Sequence, residues 1–148
     1  DIIQNAAAVF RHFGVDSVKV AVLAAVETVN ADMPGTIDAS ALAKMADRGQ
    51  LKGAIVDGPL ALDNAVSEEA ARHKGIISPV AGKADILLVP NIEVGNVLGK
   101  SLVYMAGGKI AGLIAGASKP VVVTSRADTP ESKVISIAMA SLCSRDKK

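Results

Sequence analysis

Aromatic side chains are scarce in this 148-residue chain, which has no tryptophan, one tyrosine and two phenylalanines. Because half of the residues are hydrophobic, a substantial core is expected, and its side chains must be almost entirely aliphatic. Proteins that recognise single-stranded nucleic acids stack bases on aromatic rings, so this class of function is not expected. The length suits one domain, or most of one with part of another, since domains run roughly 100–200 residues.

Positive and negative charges are nearly balanced, because the chain has 16 basic and 15 acidic residues and a formal net charge of +1. Generic nucleic-acid binding depends on a strong positive field, so no nucleic-acid partner is predicted. The main basic cluster, at 145–148, is interpreted as a solvated chain end.

Cysteine and long apolar runs are also scarce. The single cysteine, Cys143, cannot form an intrachain disulfide, which fits a reducing cytoplasm. The longest clean apolar run, at 20–26, is far shorter than the ~20 residues of a membrane span. The chain opens on Asp1 and an amphipathic pattern instead of a signal peptide, so we expect a cytoplasmic protein without membrane contact, and the missing Met indicates a fragment.

Short apolar runs alternate with helical patterns, which is typical of βαβ units and predicts an α/β fold with a mostly parallel sheet. Helices are predicted at 3–13, from 36 or 38 to 47, and at 64–72, 94–105 and 129–143, with strands at 18–26, 53–57, 84–89, 110–117 and 120–124.

Polar residues follow three of the predicted strands, at Asp57–Gly58, Asn91–Glu93 and Ser125–Arg126. The carboxyl ends of parallel strands lie at one edge of a sheet, so these three loops are expected to converge into a ligand site. Asn91, Glu93 and the nearby Asn96 have an alternative interpretation as turn and helix-start residues.

The Ser125–Arg126 pair is the strongest candidate site because it stands between a β-branched run and a helix start at 129–131. A helix N-terminus offers free N–H groups and a positive dipole to an anion, and a guanidinium matches the geometry of phosphate oxygens. The pair therefore predicts a phosphate or acyl-phosphate site. The alternative for Arg126 is a surface cation that pairs with a carboxylate.

The side chains around this pair have two interpretations. Thr124 and Ser125 either hold phosphate and orient a thiol, or cap the turn with their hydroxyls. Asp128 and Glu131 either remove the proton of a thiol, whose pKa is ordinarily ~8.5, or cap the following helix.

No metal is expected. Asp57 and Asp63 are only a pair of carboxylates, and His12 and His73 have no partner at ligand spacing. The Gly95–Gly99 stretch has neither the ending of a P-loop nor the dinucleotide-binding fingerprint. Cys143 is interpreted as a buried, inert thiol.

Taken together, the stretches at 56–65, 84–96 and 120–128 resemble the phosphate acetyl/butyryl transferase family. Their order and spacing agree with the family, and the resemblance covers essentially all 148 residues. The chain is most similar to the butyryl branch and to the phosphotransacetylase-like half of bacterial bifunctional proteins that also carry an enoyl-CoA hydratase-like domain.

The resemblance implies a three-layer α/β/α fold like that of isocitrate and isopropylmalate dehydrogenases. It implies transfer of an acetyl or butyryl group in which acyl-CoA and inorganic phosphate are converted to acyl phosphate and free coenzyme A, with coenzyme A as a substrate and not a bound cofactor, in a homo-oligomer. Residues 1–119 would form a middle domain, and residues 120–148 a last strand and helix that pack on an N-terminal domain outside this chain. Without the arginines of that domain, the chain alone is expected to be inactive, and its exposed apolar patch to promote self-association.

The resemblance gives Arg126 the role of stabilising charge on the acyl phosphate and Ser125 that of contacting the reacting groups. The family's thiol base falls on Ser132 in this chain, so Asp128 and Glu131 are the substitutes. The substrate-binding candidates are Thr124, Asp57, Gly58, Asn91, Glu93 and Asn96.

Two other functions are weighed against acyl transfer. One is a non-catalytic module that binds acyl-CoA or phosphate on the same fold. The other is a decarboxylating dehydrogenase, against which the lack of an acidic metal cluster argues.

Overall fold

A computed structural model describes residues 1–145. The elements in chain order are α1 (Ile2–His12), β1 (Val18–Leu23), α2 (Pro34–Asp47), β2 (Ala54–Leu60), α3 (Leu62–Val66), α4 (Glu68–His73), β3 (Ile86–Leu88), α5 (Ile92–Tyr104) and α6 (Pro130–Cys143). None of the helices within the described range is long and apolar enough to cross a membrane.

The three strands form one parallel sheet in the order β2-β1-β3. Val20 of the central strand lies beside Val56 of β2 and Ile86 of β3. Five of the six residues of β1 are buried, as expected for a strand with neighbours on both sides.

Helices pack on both faces of the sheet because successive side chains of a strand point to opposite faces. Val18, Val20 and Val22 belong to one core cluster, which includes residues of α1 and α2. Ala21 and Leu23 belong to a second cluster, which includes residues of α3 and α4 and the partly buried Leu98 of α5. This arrangement confirms the predicted α/β class and the aliphatic core.

Most predicted helices are confirmed, with two corrections. Helix α2 begins at Pro34, before the predicted Thr36 or Asp38, and the buried Thr36 hydroxyl lies within hydrogen-bond distance of both the Asn30 and the Met33 carbonyl. The predicted helix at 64–72 is two helices, because Ser67 is extended and its Oγ accepts from the Ala70 N–H to start α4.

The two last predicted strands, at 110–117 and 120–124, are wrong. Within residues 1–145 these segments share one antiparallel bridge, between Ile114 and Val121, and neither joins the sheet. Val121 and Val123 are exposed instead of buried. An apolar β-branched run predicts burial in a sheet, but a strand forms only where a partner supplies the other half of the hydrogen bonds.

Candidate functional site

A cavity of about 500 Å³ lies among α5, the segments around 108–112 and 123–129, and the first half of α6. This volume is within the range of small-molecule sites, roughly 300–1,000 Å³. It brings together four of the predicted site residues, Asn96, Ser125, Asp128 and Glu131. One face of α5 and a turn about 30 residues later in the sequence therefore line the same cavity.

Ser125 and Asp128 close a tight turn at the edge of this cavity. The Ser125 N–H donates to Asp128 Oδ2 at 2.6 Å, and the Asp128 N–H donates to the Ser125 carbonyl at 3.2 Å. The Ser125 Oγ also accepts from the Ala127 N–H at 3.3 Å. These bonds fix both side chains relative to the start of α6.

Helix α6 begins at the cavity, as the sequence predicts. Thr129 is its N-cap, and the Thr129 Oγ1 accepts from the Ser132 N–H at 3.1 Å. One turn later, the buried Ser136 Oγ accepts from the Gly112 N–H at 3.0 Å and donates to the Ser132 carbonyl. The helix start and the 110–112 segment are thus held together by hydrogen bonds.

Two lysines that the sequence analysis did not single out also line the cavity. Lys109 Nζ lies 2.7 Å from Glu131 Oε1 and neutralises that carboxylate. Lys100 extends from α5, four residues after Asn96, and therefore lies on the same side of the helix. This spacing is the signal from which Lys100 could have been found.

Arg126 and Thr124 are exposed and are not among the residues that line the cavity. Arg126 follows Ser125 directly, so its backbone is at the edge of the site while its side chain is in solvent. Within the described part of the chain, its guanidinium has no ion pair or hydrogen bond.

Asp57 and Gly58 lie inside β2, which corrects the prediction that they form a loop after the strand. The Gly58 N–H donates to Asp57 Oδ1 at 2.8 Å. Asn91 is the N-cap of α5 and accepts from the Val94 N–H at 2.9 Å, while Glu93 is exposed in the first turn. None of these four residues lines the cavity.

A second polar cluster, which the sequence analysis missed, follows β1 and β2. The Lys74 ammonium lies 3.1 Å from Glu27 Oε2 and 3.0 Å from Asp63 Oδ2. Asn64 Nδ2 donates to the same Glu27 oxygen, and the buried Asn64 Oδ1 has no hydrogen-bond partner within residues 1–145. The hydrogen bonds from Lys74 lower the pKa of both carboxyls, and those bonds in turn raise the pKa of Lys74.

The two histidines and Cys143 are not among the residues that line the cavity. His12 Nδ1 lies 2.9 Å from the Ala8 carbonyl of its own helix, and His73 is exposed. Partial burial raises the pKa of the Cys143 thiol. Within residues 1–145, no group of three or more His, Cys, Asp or Glu side chains is arranged to hold a metal ion.

The fold and the cavity define an α/β protein with a cavity of small-molecule size at the start of a helix. A family model described as phosphate acetyl/butaryl transferase matches residues 1–141, and the chain belongs to this family.

The relatives and a solved structure agree with this assignment. The chain is 55% identical over 147 residues to phosphate butyryltransferase of Clostridium acetobutylicum, covering 99% of this chain and 49% of that protein. It is 55% identical over 142 residues to phosphate acetyltransferase of Thermotoga maritima, covering 96% of this chain and 48% of that protein. A crystal structure of a branched-chain phosphotransacylase from Enterococcus faecalis superposes with a TM-score of 0.87 at 42% identity, over 99% of this chain and 52% of that one. The chain spans about half the length of the curated relatives it matches.

Proposed function

We propose that this protein moves an acyl group, acetyl or butyryl, between coenzyme A and inorganic phosphate. In the direction of acyl-CoA synthesis, the CoA sulfur forms a bond to the acyl carbon of acyl phosphate. The carbon–oxygen bond to phosphate breaks, and phosphate leaves with the electron pair. The observation that carries this proposal is the match of the family model over residues 1–141.

The thiol must lose its proton before or during attack, and Asp128 is the better candidate for the base. Glu131 is already paired with the Lys109 ammonium at 2.7 Å. Asp128 uses one carboxylate oxygen to accept from the Ser125 N–H, and its other oxygen has no hydrogen bond to residues 1–145. A carboxylate with a free oxygen at the cavity is suited to accept a proton.

The negative charge that passes to phosphate needs fixed positive groups around it. The positive dipole end of α6 lies next to the Ser125–Asp128 turn. Arg126 supplies a guanidinium that no described residue engages, and Ser125 supplies a hydroxyl at the cavity. The remaining candidates are proposed to bind the substrates. They are Thr124, Asp57, Gly58, Asn91, Glu93 and Asn96.

The finer structural expectations are part of the same proposal. The fold is the three-layer isocitrate dehydrogenase-like arrangement, with residues 1–119 in a middle domain. Residues 120–148, of which 146–148 lie outside the described residues, are the proposed segment that packs against an N-terminal region, and the exposure of Val121, Val123 and Ile137 supports this proposal. The enzyme works as a cytoplasmic homo-oligomer, without a metal, a nucleic-acid partner or a membrane.

The test is the release of CoA thiol from acetyl-CoA and butyryl-CoA by the full-length protein in the presence of phosphate. Arg126→Ala should lower turnover by roughly 10²–10³, the usual loss for one charge-stabilising donor. Arg72→Ala, which removes an exposed arginine of α4, is the matched control and should leave turnover unchanged. Near-normal turnover of Arg126→Ala would remove Arg126 from the mechanism.

One observation favours a second candidate, a module that binds acyl-CoA or phosphate without catalysis. The Arg126 side chain lies outside the cavity lining, so the cavity retains binding groups without the proposed catalytic cation. Calorimetric binding of CoA by a full-length protein that releases no thiol from either ester would select this candidate.

A further inference from the structure

The charges inside the cavity are not equivalent. Lys109 and Glu131 neutralise each other at 2.7 Å, and Asp128 accepts a backbone N–H. Lys100 is the remaining charged side chain of the lining, and its ammonium has no ion pair or hydrogen bond to any residue in 1–145. The cavity therefore carries one positive charge, on Lys100, that no described residue neutralises.

The helix face around Lys100 is also kept open. Gly99 lines the cavity beside it, and a Cβ placed on Gly99 would meet nothing within 4 Å, whereas one on Gly95, which also lines the cavity, would lie 3.0 Å from Val89 Cγ2. Helix interiors disfavour glycine relative to alanine, so open space at this face comes with a loss of helix propensity. An ammonium that no described residue engages, beside a helix position without a side chain, is suited to a ligand that approaches α5 closely.

We propose that Lys100 binds a phosphoryl group of the substrates in this cavity. A lysine ammonium offers three donors and a compact charge, and its bonds to phosphate oxygens are among the stronger hydrogen bonds in proteins. The phosphoryl group belongs either to inorganic phosphate and acyl phosphate or to coenzyme A. This inference rests on the proposed acyl transfer for the identity of the ligands.

The experiment compares Lys100→Met, Lys100→Arg and Lys44→Met in the full-length protein. Methionine keeps most of the length and apolar character of the lysine stem but removes the charge. Lys44 is an exposed lysine of α2 outside the cavity, so its substitution is the matched control. Thermal unfolding confirms that each variant is folded before kinetics are measured.

Lys100→Met should raise one KM by about 10- to 100-fold, the usual effect of losing a charged hydrogen bond, with a much smaller change in kcat. Lys100→Arg should recover part of this loss, and Lys44→Met should show none of it. A rise in the KM for phosphate assigns the ammonium to the transferred phosphoryl group. A rise in the KM for acyl-CoA assigns the ammonium to coenzyme A. This rise should be smaller when the substrate is the acyl ester of dephospho-CoA.

The proposal is overturned if folded Lys100→Met keeps both KM values within about twofold of the wild type, or if Lys44→Met loses as much. Failure of the proposed acyl transfer is a separate result, in which the wild type releases no thiol. In that case, calorimetry with phosphate and with CoA still tests the role of Lys100. Lys100→Met should bind one of the two ligands more weakly than the wild type does. If the variant binds both ligands as tightly as the wild type, the inference is overturned.

Discussion

Lys74 Nζ lies 3.1 Å from Glu27 Oε2 and so connects the end of α4 to the segment that follows β1. The same ammonium reaches Asp63 in α3, and both Lys74 and Glu27 have side chains about one-third exposed. The segment after β1, helix α3 and the end of α4 are thereby joined by one cation. The buried Asn64 amide donates to Glu27 as well, which extends this network under the surface.

Lys74→Met should lower the melting temperature near neutral pH, and the difference from wild type should depend on pH. The pKa values of Glu27 and Asp63 are lowered, so their contribution is present above their ordinary pKa values and is lost as pH falls through the lowered ones. The pKa of Lys74 is raised, so its contribution is lost as pH rises through that raised value. Thermal unfolding at pH 2, 7 and 12 measures the difference, which should be greatest at pH 7.

Lys44→Met is the matched control, because Lys44 pairs with Asp47 on an exposed helix surface at 2.9 Å. Exposed pairs of this kind contribute little. An equal loss in the two variants would mean that the Lys74 network has no special structural role.

Gly82→Ala should destabilise the fold more than Gly75→Ala. Both glycines have positive φ, of 74° and 67°, so both substitutions incur backbone strain of about 1–2 kcal/mol. A Cβ on Gly82 would also lie 2.5 Å from Glu68 Cα, whereas one on Gly75 would meet nothing within 4 Å. Overpacking of this kind typically costs about 1–3 kcal/mol more. Urea unfolding of the two variants measures the difference, and equal midpoints would contradict it.

Thr129→Ala should destabilise the protein by about 1 kcal/mol because it removes the N-cap of α6. Thr129→Ser keeps the hydroxyl that accepts from the Ser132 N–H and should retain most of the stability. Denaturant unfolding of both variants checks the prediction. If serine is as damaging as alanine, the threonine methyl and not the cap stabilises this end of the helix.

Gly99→Ala should separate stability from binding. The substitution places a better helix former in the middle of α5 without a clash, so it should stabilise the fold by up to about 1 kcal/mol. The added methyl group enters the cavity, so the KM for the acyl-transfer substrates should rise. Gly75→Ala, outside the cavity, is the kinetic control. A higher melting temperature with unchanged KM values would show that substrates do not approach this face.

Cys143 should react slowly with thiol reagents in the folded protein. Burial raises the pKa of its thiol, and the thiolate is the reactive form. Its rate with a disulfide reagent at pH 8 should therefore be lower than that of glutathione and should increase in guanidinium chloride. A native rate equal to that of glutathione would contradict the burial of this side chain.

The regular elements were predictable because their signals are local. The apolar run that forms β1 and the cap sequence before Pro130 each depend on residues within a few positions of each other, and a strand and a helix begin at these points as predicted. The break at Ser67 was not predicted, since a serine is compatible with both a helix interior and a cap. The run at 120–124 was wrongly predicted as a strand because its composition indicates an apolar environment but not the strand that would pair with it.

The sequence by itself determined the α/β class, the aliphatic core and the position of Ser125 and Asp128 before a helix start. The tertiary structure decided which side chains share a space. It brought Lys100 and Asn96 of α5 to the Ser125–Asp128 turn and left Asp57 inside β2. Capping and periodicity arise from neighbouring residues along the chain, whereas a cavity arises from the packing of distant elements, which no local pattern encodes.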